Sequence, residues 1–135
     1  MGAAGRHPHF VSPLFWHASL AEGLVAARES KRAVLLVVGR QSCGGSRALV
    51  EKTTAKEEIY KYLDSHYVCV AGDADSPEPA VAALVARMSQ HDRTPLCLYL
   101  SAEGELMHST SGGRPPAVFL SDLLEAPHRP SAGRR

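Results

Sequence analysis

The chain has 135 residues, 44% of them hydrophobic and 21% charged, which is enough apolar material for one domain with a buried core and excludes disorder of the whole chain. Its 15 basic and 14 acidic residues nearly cancel, so neither nucleic acid nor an anionic membrane surface is expected as a partner. No stretch approaches the roughly 18 apolar residues of a membrane span, and residues 1–9 contain no apolar run of signal-peptide length, so a cytoplasmic location is expected by default. In a reducing compartment the three cysteines, Cys43, Cys69 and Cys97, are expected to be free thiols.

In chain order, residues 1–12 have no apolar periodicity and are expected to form a flexible terminus. Ser19-Leu20-Ala21-Glu22 is a capping box that opens a helix to about Ser30, with Leu20, Leu24, Val25 and Ala27 expected on one face. Ala33 to Val38 is an unbroken, β-branched apolar run, the pattern of a central strand covered on both faces. After Cys43, residues Arg47 to Lys52 read as helical, and Thr54-Ala55-Lys56-Glu57 suggests a second capping box for a helix to about Ser65. Tyr67 to Ala71 is a strand closed by Asp73-Ala74-Asp75-Ser76-Pro77, where Ser76 as cap and Pro77 at the first position would open a helix that buries Val81, Leu84, Val85 and Met88.

Beyond that point Pro95 to Leu100 reads as a strand, Ala102 to Glu105 as a tight turn, and Glu105 to His108 as the returning arm of a hairpin. A last helix should begin near Pro115 or Pro116 and pack through Val118, Phe119, Leu123 and Leu124. Residues 13–126 thus make up the expected domain, and residues 127–135 a disordered basic tail.

The order βαβαββα, with Cys43 at a strand-to-helix turn, Thr94-Pro95 opening a strand and the Ala102-Glu103-Gly104-Glu105 hairpin, resembles the thioredoxin superfamily. The resemblance spans roughly residues 14 to 126 and implies an α/β three-layer sandwich, a mixed central sheet of about four strands flanked by helices. It implies that Pro95 is a cis-proline against the active-site loop, and that the backbone of Thr94 offers an edge to an extended substrate. Gly44 and Gly45 complete the substrate-facing loop.

A cysteine is nucleophilic as thiolate, and a helix N-terminus favours that anion. Cys43 is placed for this, with Arg40 and Arg47 flanking it as candidate thiolate stabilisers and Ser46 as a hydroxyl donor. The loop Cys43-Gly44-Gly45-Ser46 lacks the second cysteine that would attack a mixed disulfide, so dithiol reduction is not expected. Gln41-Ser42 replaces the tryptophan that usually precedes the family's first cysteine, and Val37 supplies no buried acid below the loop. Two functions remain open: a monothiol protein in which Cys43 attacks a disulfide or accepts glutathione as co-substrate, with Ser46 and Arg47 steadying the thiolate and Thr94-Pro95 docking the substrate, or a non-catalytic module that holds a partner protein.

Cys69 and Cys97 lie in apolar runs and read as core residues. The seven histidines are scattered without ligand spacing, Gly44-Gly45 lacks the Gly-Lys-Ser/Thr of a phosphate loop, and no metal or resident cofactor is expected. Tyr60 and Tyr62 cannot both face the core with Ile59 and Leu63, so at least one of them is expected to be exposed.

Overall fold

A computed structural model describes residues 5–128. The first four residues and the basic tail beyond His128 lie outside the described part, so the expected disorder there is not addressed. The sheet contains strands β1 (Trp16–His17), β2 (Ala33–Gly39), β3 (Tyr67–Asp73), β4 (Leu96–Leu100) and β5 (Leu106–Ser111), in the order β1-β3-β2-β4-β5. The first three run parallel, and β4 and β5 are antiparallel to their neighbours. The sheet therefore has five strands instead of four. The additional one, a two-residue strand at Trp16, is too short to show a period in the sequence.

The unbroken apolar run of β2 follows from its position between β3 and β4. Successive side chains alternate across the sheet, so Leu35 and Val37 join one core cluster while Val34, Leu36 and Val38 join another. The first cluster is closed by α3 (Glu57–His66) and α5 (Pro116–Glu125), through Ile59, Leu63, Phe119 and Leu123. The second is closed by α1 (Leu20–Ser30) and α4 (Pro79–Val85), through Leu20, Ala27 and Val81. Ser19 caps α1 as the sequence suggests, its hydroxyl accepting from Glu22 N–H at 3.1 Å.

Several local expectations are corrected. Val25, Val118 and Leu124 are 46%, 39% and 45% exposed, because helical spacing turns Val25 and Leu124 to the far side of the buried residues of α1 and α5 and leaves Val118 at the margin. Thr54 is not a cap: its hydroxyl donates to Val50 C=O at 2.7 Å, and the residue before α3 is Lys56, with no side-chain cap. The helix expected from Ser76-Pro77 starts two residues later at Pro79, with Glu78 at the cap position, and the Glu78 carboxylate accepts instead from Leu20 N–H at the start of α1. Tyr60 and Tyr62 are both half-buried against the first cluster, so neither is a fully exposed face residue.

The described part of residues 1–12 is also packed, contrary to a loose end. Phe10 is 6% exposed and belongs to the first cluster with Leu14 and Trp16. The His7 ring stacks on Phe10 and meets Trp16 edge-on, at 5.2 and 5.0 Å between centroids. Burial, then the neighbouring His9, lower its pKa to about 4, Glu51 opposing, so it is neutral at pH 7. Its Nδ1 can then accept from the N–H groups of His9 and Phe10. Truncating Phe10 should open a cavity: Phe10→Ala is expected to lower stability by about 3 kcal/mol in urea denaturation, whereas a loss below about 0.5 kcal/mol, as at an exposed position, would mean the segment adds nothing to the core.

Candidate functional site

The topology alone brings the predicted residues together. Strand β2 pairs antiparallel with β4, with Val38 opposite Leu96, so the chain leaving β2 and the chain entering β4 emerge at the same edge. Ala74 N–H donates to Gly39 C=O at 2.8 Å and ties the end of β3 to this edge as well. The turn from Arg40 to Cys43 is closed by Cys43 N–H donating to Arg40 C=O at 2.9 Å.

Cys43 then occupies the N-cap of α2 (Gly44–Ala48), which continues into a π-helical turn over Leu49–Thr53. Its backbone is extended, and its sulfur accepts from Ser46 N–H at 3.4 Å, a free amide of the first turn. The same sulfur lies 3.5 Å from Thr94 C=O, to which the thiol donates. The Thr94–Pro95 peptide bond is cis. Gly45 permits the close approach: a Cβ there would stand 3.4 Å from Pro95 Cδ and 3.7 Å from both the Cys43 sulfur and the Thr94 carbonyl oxygen. Gly44 faces open space.

Ser46 is fully buried, and its hydroxyl oxygen accepts from Arg40 N–H at 3.2 Å, which pins the turn to the helix. Gly39 leaves room for it, since a Cβ there would approach the Ser46 oxygen to 3.0 Å. The Cys43 thiol is under two opposed influences. Partial burial raises its pKa, but hydrogen bonds from the side chains of Ser46 and Thr94 and from the Ser46 and Gly45 amides overcome it, and the thiol is lowered from 9.0 to about 7. Ionisation forfeits the S–H donation to Thr94 C=O and leans on the helix amides instead.

Arg40 and Arg47 are differently engaged. Arg40 Nε donates to Asp75 at 2.7 Å, and Cys43 adds a weaker attraction to that guanidinium. Arg47 pairs with Glu51 at 3.3 Å and stacks over Phe10 at 5.3 Å from the ring centroid, while Glu51 also accepts from Val11 N–H. Asp75 and this N-terminal clamp on α2 were missed in the sequence; the aromatic content of residues 10–16 was the available signal for the clamp. Cys69 and Cys97 are buried at 3% and 1%, and burial pushes each thiol up to about 12. Among the described residues no group of three or more His, Cys, Asp or Glu could hold a metal ion, and no helix is long and apolar enough to cross a membrane.

A sheet of this order, two helices on each face and a cysteine capping a helix beside a Thr-Pro pair define a thioredoxin-like protein. The thioredoxin-like family model matches residues 15–102, well over half of the chain, and the chain belongs to that family. Among solved structures it is similar to a thioredoxin from Thermus thermophilus, at 23% identity and TM-score 0.66, over 82% of this chain and 84% of that one. It is similar also to a disulphide isomerase from Xylella fastidiosa, at 19% identity and TM-score 0.65, over 84% and 95% of the two chains. A third likeness is to the complex of ferredoxin:thioredoxin reductase and thioredoxin f2, at 16% identity and TM-score 0.61, over 83% and 94%. No curated protein sequence matches the chain.

The site makes one thiol accessible and two inert. At pH 7 iodoacetamide should place a single adduct on folded protein, at Cys43, and reach Cys69 and Cys97 only after denaturation. Ser46→Ala removes one of the hydrogen bonds that favour the anion and should slow the Cys43 reaction at pH 7; an unchanged rate would remove Ser46 from the stabilisation of the thiolate.

Proposed function

We infer that this is a monothiol exchange protein, which forms mixed disulfides at Cys43 with protein partners and does not carry out dithiol reduction. The reading is supported chiefly by one observation: the Cys43 sulfur sits at a helix N-cap, 3.5 Å from the Thr94 carbonyl, with its pKa lowered to about 7. In the exchange step the Cys43 thiolate attacks one sulfur of a partner disulfide. A Cys43–partner S–S bond forms, the original S–S bond breaks, and the departing sulfur leaves with the electron pair as a thiolate. Ser46 steadies the attacking anion, and Gly44, Gly45, Thr94 and Pro95 receive the partner chain. Arg40 adds positive charge near the sulfur, while Arg47 holds α2 through Glu51 and Phe10.

Without a second cysteine in the loop the mixed disulfide must be released by an external thiol, for which glutathione is the proposed co-substrate: its thiolate attacks the partner sulfur, a glutathione–partner disulfide forms, and the Cys43–partner bond breaks with its electron pair leaving on Cys43 as thiolate. Membership of the thioredoxin-like family fits thiol–disulfide chemistry of this general kind. A reductase complex is known for one structural neighbour, thioredoxin f2, which is consistent with a protein partner here. The proposed domain is residues 13–126, extended by the packed segment around Phe10, and the proposed location is the cytoplasm.

Two measurements test the reading. Under non-reducing conditions wild type should capture partners that are released by dithiothreitol and absent with Cys43→Ala, whereas partners retained by Cys43→Ala would favour a non-catalytic holding module. Ser46→Cys restores a second thiol at the buried end of the loop and should gain turnover in insulin reduction with dithiothreitol as reductant, where wild type shows at most stoichiometric reaction; equal activity of the two would contradict the monothiol account.

A further inference from the structure

Residues 5–16 form a loop closed on itself. Trp16 N–H donates to Gly5 C=O at 2.8 Å where the chain enters β1. Inside the loop the Ser12 hydroxyl oxygen accepts from the Trp16 indole N–H at 2.9 Å and from Leu14 N–H at 3.2 Å, and His7 Nδ1 accepts from the amides of His9 and Phe10. A compact, internally bonded loop of this length whose ends meet is an Ω-loop, a type that often carries function. Its outer attachments lie on the reactive helix. Arg47 Cζ stands 5.3 Å over the Phe10 ring, and one oxygen of Glu51 accepts both from Arg47 at 3.3 Å and from Val11 N–H at 3.1 Å. His9 Nε2, 3.5 Å from the Asp73 carboxylate, adds a contact with the end of β3.

The helix so held is a weak one. α2 has only five residues, too few to be stable on local hydrogen bonding, and Leu49 N–H is shared between the carbonyls of Gly45 and Ser46 as the chain passes into the π-helical turn that carries Glu51. The core side is fixed by Leu49 and Val50 in the first cluster, which also contains Phe10. The outer side is fixed by Arg47 and Glu51, through the loop. The amides that favour the Cys43 anion, those of Gly45 and Ser46, stand in the first turn of this same helix. We propose that the Ω-loop is a positioning element for the reactive thiol: Phe10 and Glu51 hold α2 where its first-turn amides point at the Cys43 sulfur. The inference rests on the exchange reading above and adds a control on its nucleophile. A hydrogen bond weakens steeply with misalignment, so loosening the outer side of α2 is felt at the sulfur as a weaker acid. The sign separates this from a through-space effect. Glu51 is an anion and opposes thiolate formation, so loss of its charge alone would lower the thiol pKa, whereas loss of its hold on the helix raises it.

The test follows the rate of Cys43 alkylation by iodoacetamide against pH in the full chain, with circular dichroism confirming that each variant is folded. Phe10→Leu keeps an apolar side chain in the cluster and removes the ring under Arg47, while Glu51→Ala removes the acceptor that joins Arg47 to Val11. Each is expected to raise the titration midpoint by about one pH unit, the size of one lost hydrogen bond to a charged group. Phe10→Tyr, which keeps the aromatic face, should retain the wild-type midpoint. Ile59→Val, a truncation in the same cluster on α3, should retain it as well. The Glu51 side chain is partly solvent-exposed, so its variant decides the matter even where Phe10→Leu is too unstable to assay. An unchanged or lowered midpoint in Glu51→Ala, or an unchanged one in folded Phe10→Leu, would overturn the positioning role and leave exchange at Cys43 standing. A rise in Ile59→Val equal to that in Phe10→Leu would trace the effect to lost stability in general and likewise overturn it. A wild-type midpoint at or above the free-thiol value of about 8.5 would overturn the exchange reading and the positioning role together.

Discussion

The antiparallel pairing of β4 with β2 is the constraint on which the site depends. Because Val38 faces Leu96, the strand that delivers Cys43 and the strand that follows Pro95 share one edge of the sheet, and residues more than fifty positions apart in sequence meet at 3.5 Å. The pairing is itself secured by burial on both faces: the alternating residues of β2 feed two separate apolar clusters, one under α3 and α5 and the other under α1 and α4. Such a strand cannot slip by one residue without exchanging its two faces. The position of the sulfur is thus fixed by the core, and the loop around it supplies only the last hydrogen bonds.

Those hydrogen bonds decide the chemistry. The three cysteines share an intrinsic acidity, yet Cys69 and Cys97, in strands with little to stabilise an anion, are pushed up to about 12 by burial. Cys43 pays a smaller burial penalty and meets the Ser46 and Gly45 amides at the start of a helix, together with the hydroxyl-bearing side chains of Ser46 and Thr94. Both kinds of environment come from the same strand-to-helix architecture, which places one thiol at a helix start and two inside the sheet. Ser46 has a second task, since it accepts from Arg40 N–H and so joins the turn to the helix.

Much of this was legible in the sequence because it rests on local patterns. The Ser19 capping box, the apolar run of β2 and the turn after β4 each carry their signal in a few adjacent residues, and the resemblance built on Cys43 and Thr94-Pro95 grouped residues that are neighbours in the structure. What escaped was decided by tertiary contacts. Thr54 and Ser76 have cap chemistry, but the Thr54 hydroxyl turns back to Val50 and the helix after Ser76 starts only at Pro79. Arg47 looked like a neighbour of the sulfur by spacing, yet Phe10 and Glu51 hold its guanidinium. A cavity beside Thr94 draws on two strands, one helix and three connecting segments, and no single stretch of sequence encodes it.

The central claim is that the fold holds the Cys43 sulfur as an anion near neutral pH. The most direct measurement is an ultraviolet titration of thiolate absorbance, taken as the difference between wild type and Cys43→Ala in the native state. A midpoint near pH 7 is the result this account requires, and a midpoint at or above the free-thiol value of about 8.5 would contradict it.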